Sequence, residues 1–371
     1  MSDKKPVVVY GASGFSGRLV AEYLREFNVP FIAAGRNGAR IKEILGRMPG
    51  VETANFEVVE VGHSVAELTK LFTGAKVVCN TVGPCMYYAP TVIEAALKAG
   101  CHYIDIGGEQ EWVYEASEKW GPKFAEKGLL AAPATAYMSV ASDIGVNICI
   151  ENKAIDSIEV ISMFNGAPTY GSTQTVFAAL QGEERYLEQN QYKIWPIGSS
   201  FEVNVPGSVM SHLVVPWAGF PHTIWYKNHP QVANVRTLGG VFLRPVMEGV
   251  KAMAQDYQQN LKSMPPDQRR KVLSERAAGM QAGTPPRENP RENRTIDVIA
   301  GRGTLEAAQV VMIGTCCYKQ TGLIQAFVAQ SLLRSAPRKT GFASACEAVG
   351  YREILKTLEG FGLNRAKVIM Q

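Results

Sequence analysis

Unbroken apolar runs alternate with helical patterns along the first third of the chain. Val7-Val8-Val9-Tyr10 is the first run, set between Pro6 and Gly11. Four such residues in succession suit a strand buried on both faces of a parallel sheet. Glycines at 11, 14 and 17 follow, and Gly17-Arg18-Leu19-Val20-Ala21-Glu22-Tyr23-Leu24-Arg25 has the period of a helix. Further strands are predicted over Pro30–Ala34, Phe56–Val61, Lys76–Thr81 and His102–Ile106. Helices are predicted over Ala39–Leu45, Val65–Phe72 and Tyr88–Gly100. Ser64 with Glu67 reads as a capping box, and Gly100 as a C-terminal cap. This β-α-β-α rhythm to about residue 134 predicts an α/β fold: an N-terminal Rossmann doubly wound parallel sheet.

From about residue 135 the pattern changes. Ser157–Phe164 and Ser200–Val205 alternate as strands with one wetted face, and a helix is expected near Gly171–Leu180. Trp195, Trp217, Trp225, Phe220 and Tyr226 form an aromatic region that fits either a pocket wall or a second core. Leu238 to Met253 reads as a buried helix pair, an entrance flap or a membrane-surface patch. A charged helix spans Gln268–Ala278, and Thr284–Arg294, with Pro-Arg-Glu-Asn twice, reads as an exposed loop. Thr295–Ala300 resumes a strand, 305–333 reads as one long helix and 343–362 as the last. The expected organisation is a nucleotide domain over 1–134, an inserted α+β second domain over 135–330, and a helical segment over 331–371 returning to the first domain.

The chemistry sits in the first turn. In a dinucleotide-binding turn Gly11 permits the sharp exit from the strand, Gly14 lets the backbone approach a pyrophosphate, and Gly17 lets the helix pack on the sheet. The spacing is GxxGxxG, in the strand–turn–helix context that the motif requires. Ser13, Phe15 and Ser16 complete the cradle. Where an NAD-preferring fold places an acidic residue, this chain has Arg36 followed by Asn37. A guanidinium suits a 2′-phosphate, so the cofactor expected is NADP(H). His63, Thr81, Val82, Gly83 and Pro84 fall on the same carboxyl edge and join the cofactor-binding set. Tyr87, Tyr88 and Glu109 are the candidate catalytic groups, with a tyrosine hydroxyl as proton donor. Asp105 reads as structural, a receiver of backbone amides, and Asp143 as a helix cap.

Composition excludes several alternatives. The 371 residues carry a net charge of only +4 with no long basic run, which argues against nucleic acid. Seven dispersed cysteines without a CxxC pair read as core residues of a reducing compartment, and no metal site is expected. Met1–Pro6 leads directly into the first strand, so a cytoplasmic protein without a signal peptide is expected. No Gly-x-Ser-x-Gly elbow supports hydrolysis. His212, His222 and His229 have no zinc-helix spacing, and Tyr318-Lys319 lacks the Tyr-x-x-x-Lys spacing of short-chain dehydrogenases.

GASGFSG, AGRN, VVCNTVGP, AALKAGCHYIDIGGE and APATAYMSVASDIGV occur in this order. The set resembles the saccharopine dehydrogenase-like oxidoreductases, most of all the branch that includes trans-acting enoyl reductases. The resemblance covers about the first 150 residues and returns near Gly341–Gly350, where GFASACE replaces a proline-bearing family segment. It implies an NADPH-dependent oxidoreductase that reduces a polarised double bond, enoyl C=C or ketone, of a mostly apolar small molecule. Two alternatives stay open: a saccharopine-type imine reductase, and a non-catalytic, cofactor-bound protein at a lipid surface. A homodimer is expected, and membrane association is the less favoured outcome.

Overall fold

Val7–Tyr10 forms the first strand, β1, with all four residues buried. The computed structural model describes residues 4–166, 168–216, 220–280 and 293–370. After β1 come α1 (Phe15–Glu26), β2 (Phe31–Gly35), α2 (Gly38–Leu45), β3 (Phe56–Glu60) and α3 (Val65–Phe72). Then follow β4 (Val77–Asn80), α4 (Cys85–Ala99), β5 (His102–Asp105) and β6 (Leu130–Ala132). The strands lie in the order β6-β5-β4-β1-β2-β3, all parallel, and Gly341–Phe342 adds a short strand beside β6. The order reverses between β1 and β4, the switch point where ligands bind in such sheets.

Local chemistry explains these elements. Helix α1 buries Leu19, Val20, Tyr23 and Leu24, the apolar stripe read from its period. At α3 the Ser64 hydroxyl caps the amide of Glu67, and α4 stops at Gly100, whose φ of 76° few other residues adopt. Each fully buried aliphatic chain of β1 contributes about 1.5–3 kcal/mol. A charge at Val8, which is 0% exposed, would break the sheet at its centre.

The described residues divide into two units. One comprises 4–108, 112–140 and 318–362; the other comprises 109–111, the described part of 141–317, and 363–370. The second unit is built on β7 (Ser157–Asn165), β8 (Arg185–Glu188), β9 (Gln191–Ile194), β10 (Phe201–Asn204) and β11 (Ser211–Val214). It continues with β12 (Asn234–Val241), β13 (Arg294–Gly303) and β14 (Glu306–Gly314). A mixed sheet runs β14-β13-β7-β12-β8-β9, with the closing strand Asn364–Met370 outside β14. The β10–β11 hairpin supplies Val205 and Val214 to a core with Met163, Leu238, Ile296, Val298 and Val311.

Three expectations change. Residues 305–333 are not one helix: β14 precedes a helix over Cys317–Arg334, because 306–314 pairs with β13 around a two-residue turn. Leu238 to Met253 is not a helix pair: Gly239 and Gly240 belong to β12, where a Cβ would lie 2.7 Å from the Phe220 ring and 3.1 Å from Met247. The helix Arg244–Asp256 that follows buries only Met247 fully. The boundaries expected at 134 and 330 fall at 140 and 317, and the closing strand leaves the first unit for the second. Trp217 and the doubled Pro-Arg-Glu-Asn stretch to residue 292 lie outside the described residues.

Candidate functional site: a nucleotide cradle

The chain leaves β1 through Gly11, whose φ of +93° is open to glycine. A Cβ there would stand 2.7 Å from Thr81 Oγ1 and 2.9 Å from Val82. At Gly17 a Cβ would stand 2.3 Å from the Gly11 carbonyl oxygen, so the start of α1 rests directly on the turn. Gly14 differs. It is exposed, and a Cβ would meet only the Gly11 oxygen, at 3.2 Å. As N-cap of α1 it brings no side-chain acceptor. The first-turn amides of Phe15, Ser16 and Gly17 therefore face outward at the positive end of the helix, beside Ser13. Amides of Gly11 and Ala12 fix the turn by bonding the Ala34 carbonyl at 2.9 and 3.2 Å. Thr81 adds a hydroxyl bond to the Tyr10 carbonyl at 2.9 Å, and Asn80 Oδ1 receives the Val82 amide at 3.1 Å. Gly83 is exposed and Pro84 begins α4.

Arg36 follows β2, is exposed, and forms no ion pair among the described residues. Asn37 is used differently from the expectation: its Oδ1 accepts the Arg40 amide at 2.8 Å and caps α2. The Tyr10 hydroxyl lies 2.9 Å from His63 Nδ1. Burial lowers the His63 pKa and the positive charge of Arg36 lowers it further. Burial pushes the Tyr10 hydroxyl up to about 12 against the opposing pull of Arg36. Tyr88 meets the His63 ring edge-on at 5.4 Å, and Tyr87 meets Tyr88 edge-on at 6.4 Å. Tyr88 is thus joined to the Arg36–His63 end of the edge.

Asp105 anchors the neighbouring loop, as expected. Its Oδ1 accepts the amides of Gly107 at 2.8 Å and Ala134 at 3.0 Å. Its Oδ2 accepts the Tyr103 hydroxyl at 2.7 Å and Trp112 Nε1 at 2.8 Å. Burial nevertheless raises its pKa to about 6, outweighing these four donors. Gln325 Nε2 donates to the carbonyls of Asp105 at 2.9 Å and Thr135 at 2.8 Å. Tyr318 lies edge-on to Phe15 at 5.3 Å.

Sequence reasoning did not single out Tyr10, Gln325 or Tyr318 for these roles. The signal for Tyr10 is a hydroxyl ending an otherwise aliphatic strand; the other two lie about 300 residues from the turn. Glu109 is buried and groups with the second unit. Asp143 is no cap: it lies inside the helix Tyr137–Cys149 and accepts the Tyr226 hydroxyl at 2.7 Å. The three clustered histidines bond separately, His222 with Ser142, His212 with Ser208, and His229 with the amides of Gln231 and Val232.

Comparison with known proteins follows the same division. Residues 140–371 match a family of unknown function, DUF5938, and residues 7–131 match the saccharopine dehydrogenase NADP binding domain. A lipid droplet localized protein of Caenorhabditis elegans is 33% identical over 192 residues, 47% of this chain and 45% of that protein. The saccharopine dehydrogenase-like oxidoreductase of Homo sapiens is 30% identical over 172 residues, 43% of this chain and 40% of that protein. A trans-acting enoyl reductase of Mycobacterium ulcerans is 30% identical over 152 residues, 40% of this chain and 36% of that protein. The chain thus aligns with less than half the length of these relatives. Apo saccharopine dehydrogenase (L-Glu forming) from Saccharomyces cerevisiae superposes on 99% of this chain and 100% of its own, with TM-score 0.62 and 12% identity. That likeness shows a shared fold. The amino-terminal domain is that of the saccharopine dehydrogenase-like oxidoreductases, and NADP(H) is the cofactor it indicates.

Proposed function

Because this chain belongs to the family of unknown function DUF5938 and carries a saccharopine dehydrogenase NADP-binding domain, we propose that it is an NADPH-dependent reductase. Its acceptor is a polarised double bond, enoyl C=C or ketone, in a mostly apolar small molecule. One observation carries the reading: an uncapped helix start at Gly14–Gly17 shares one sheet edge with a guanidinium that has no acidic partner among the described residues. These residues fit the nucleotide. Gly11, Ser13, Gly14, Phe15, Ser16 and Gly17 would hold the diphosphate, Arg36 the 2′-phosphate, and His63 with Tyr88 the adenosine side. Thr81, Val82, Gly83 and Pro84 would flank the cradle. When bound, NADPH supplies a hydride. The chain's own task is to orient the partners, exclude water and deliver a proton. Since Tyr88 is engaged with His63, we assign proton delivery to the Tyr87 hydroxyl.

The enoyl acceptor comes first on the name of the Mycobacterium ulcerans relative. An amino-acid imine would need free basic groups for carboxylates. In the second unit Arg185 faces Glu111 and Glu183, Arg236 faces Glu188, and Arg244 faces Glu202 and Glu248. NADPH oxidation assayed across enones, ketones and imines tests the choice. Turnover with enones or ketones, abolished in Tyr87→Phe, supports it; turnover with imines alone refutes it.

A second reading is a lipid-facing surface. Val209, Met210, Leu243 and Val246 are exposed apolar residues of the second unit, and the Caenorhabditis elegans relative is named for lipid droplets. Co-flotation with phospholipid vesicles, without turnover of any acceptor, would favour it.

A further inference from the structure

Side chains from four elements meet at the Arg36 end of the edge. Besides the bond between the Tyr10 hydroxyl and His63 Nδ1, the two rings are nearly parallel, 12° apart with centroids at 6.0 Å. His63 Nε2 is sealed from solvent and has no partner among the described residues. With Nδ1 accepting the Tyr10 proton, Nε2 carries the hydrogen of the neutral ring. A buried donor without an acceptor costs about 1–3 kcal/mol, which an arriving anion would relieve.

The charges around this ring are few. Arg36, from the end of β2, opposes protonation of His63. Glu67, from α3, is felt by Tyr10 and accepts the Ser64 hydroxyl at 2.5 Å. Tyr88, from α4, contributes a neutral ring edge.

We propose that His63 is a proton-linked reader of the 2′-phosphate: it gains a proton when NADP(H) binds beside Arg36 and stays neutral when NAD(H) binds. The inference rests on the NADP(H) reading above. A phosphate monoester carries about −1.5 to −2 charges near neutral pH. Placed against Arg36, it cancels the field that keeps His63 neutral and adds an opposite charge. An opposite charge within about 4–6 Å moves a titrating group by about 1–3 pH units. The proton comes from solvent and goes to Nδ1. The Tyr10 hydroxyl then changes from donor to acceptor, which a rotating O–H permits, and Nε2–H gains the phosphate as acceptor.

Two measurements on the full chain test this. Histidine imidazole signals, five in all, are titrated by NMR with no nucleotide, with NADP+ and with NAD+. One midpoint should rise by about one unit or more with NADP+ and stay in place with NAD+. Calorimetry in buffers of different ionisation enthalpy then counts protons exchanged on NADP+ binding to the native chain and to His63→Gln. The ligand's own phosphate contributes equally to both, so their difference isolates the ring. Uptake should be larger in the native chain, and between pH 8 and pH 6 its affinity for NADP+ should gain about tenfold over the variant's. NADP+ binding with all five midpoints unmoved overturns this inference alone. Absence of NADP+ binding overturns the nucleotide reading and this one with it.

Discussion

Two glycines three residues apart should fail in opposite ways when each is replaced by alanine. In Gly17→Ala the new methyl would lie 2.3 Å from the Gly11 oxygen, 2.9 Å from Ala12 Cα and 2.9 Å from Thr81 Oγ1. Two of these three are backbone atoms of the turn, so α1 must move off the sheet. Overpacking of this kind costs about 1–3 kcal/mol. For a domain of this size that corresponds to a fall of about 2–12 °C in apparent Tm. In Gly14→Ala the methyl meets a single atom at 3.2 Å, and the backbone, at φ −74° and ψ 163°, suits alanine. Its fold should hold within about 1 kcal/mol, the usual effect of alanine at an N-cap. The methyl instead occupies the side from which a diphosphate approaches, so NADPH affinity should fall by at least about tenfold, or 1.4 kcal/mol. Differential scanning fluorimetry and NADPH fluorescence titration on both variants separate the effects. Equal Tm losses, or unchanged NADPH binding in Gly14→Ala, would refute the reasoning.

Asp105 should make stability depend on pH. Its folded pKa of about 6 lies above the ordinary 3.8, so its contribution is fully present below about pH 4 and is lost as pH rises through 6. The change amounts to at most about 3 kcal/mol. Urea midpoints from pH 4 to 7 measure it, and a slope unchanged in Asp105→Asn would exclude Asp105 as its source. Gln325→Ala strips a donor from the carbonyls of Asp105 and Thr135. It should cost about 1–3 kcal/mol in urea unfolding, and a loss under about 0.5 kcal/mol would contradict the bridging role.

How much of this was legible depends on sequence distance. The glycine turn is local: strand, turn and helix lie within Val7–Glu26, and each glycine answers to a contact inside that span or to β4. Arg36 was legible because the next parallel strand must end beside the turn. The Tyr10–His63 pair was not, since 53 residues separate partners whose meeting depends on strand register. Gln325 reaches Asp105 across 220 residues, and nothing near either residue announces the bond. The β13–β14 hairpin was misread for a local reason. Its turn places Leu305 at φ 64°, a conformation that Asn or Gly usually signals. The apolar run Val310-Val311-Met312-Ile313 fits a helix as well as a strand. Asn37 was read as a cofactor donor because position alone cannot tell a ligand contact from a helix cap.

Isothermal calorimetry of NADPH and NADH against the native chain and Arg36→Ala puts the central claim to its most direct test. The native chain should bind NADPH in preference to NADH. In Arg36→Ala, NADPH affinity should fall about tenfold to a hundredfold, the scale of lost charge-assisted hydrogen bonds, with NADH affinity unchanged. A native chain that binds neither nucleotide, or an Arg36→Ala variant that keeps its full preference for NADPH, would contradict the account.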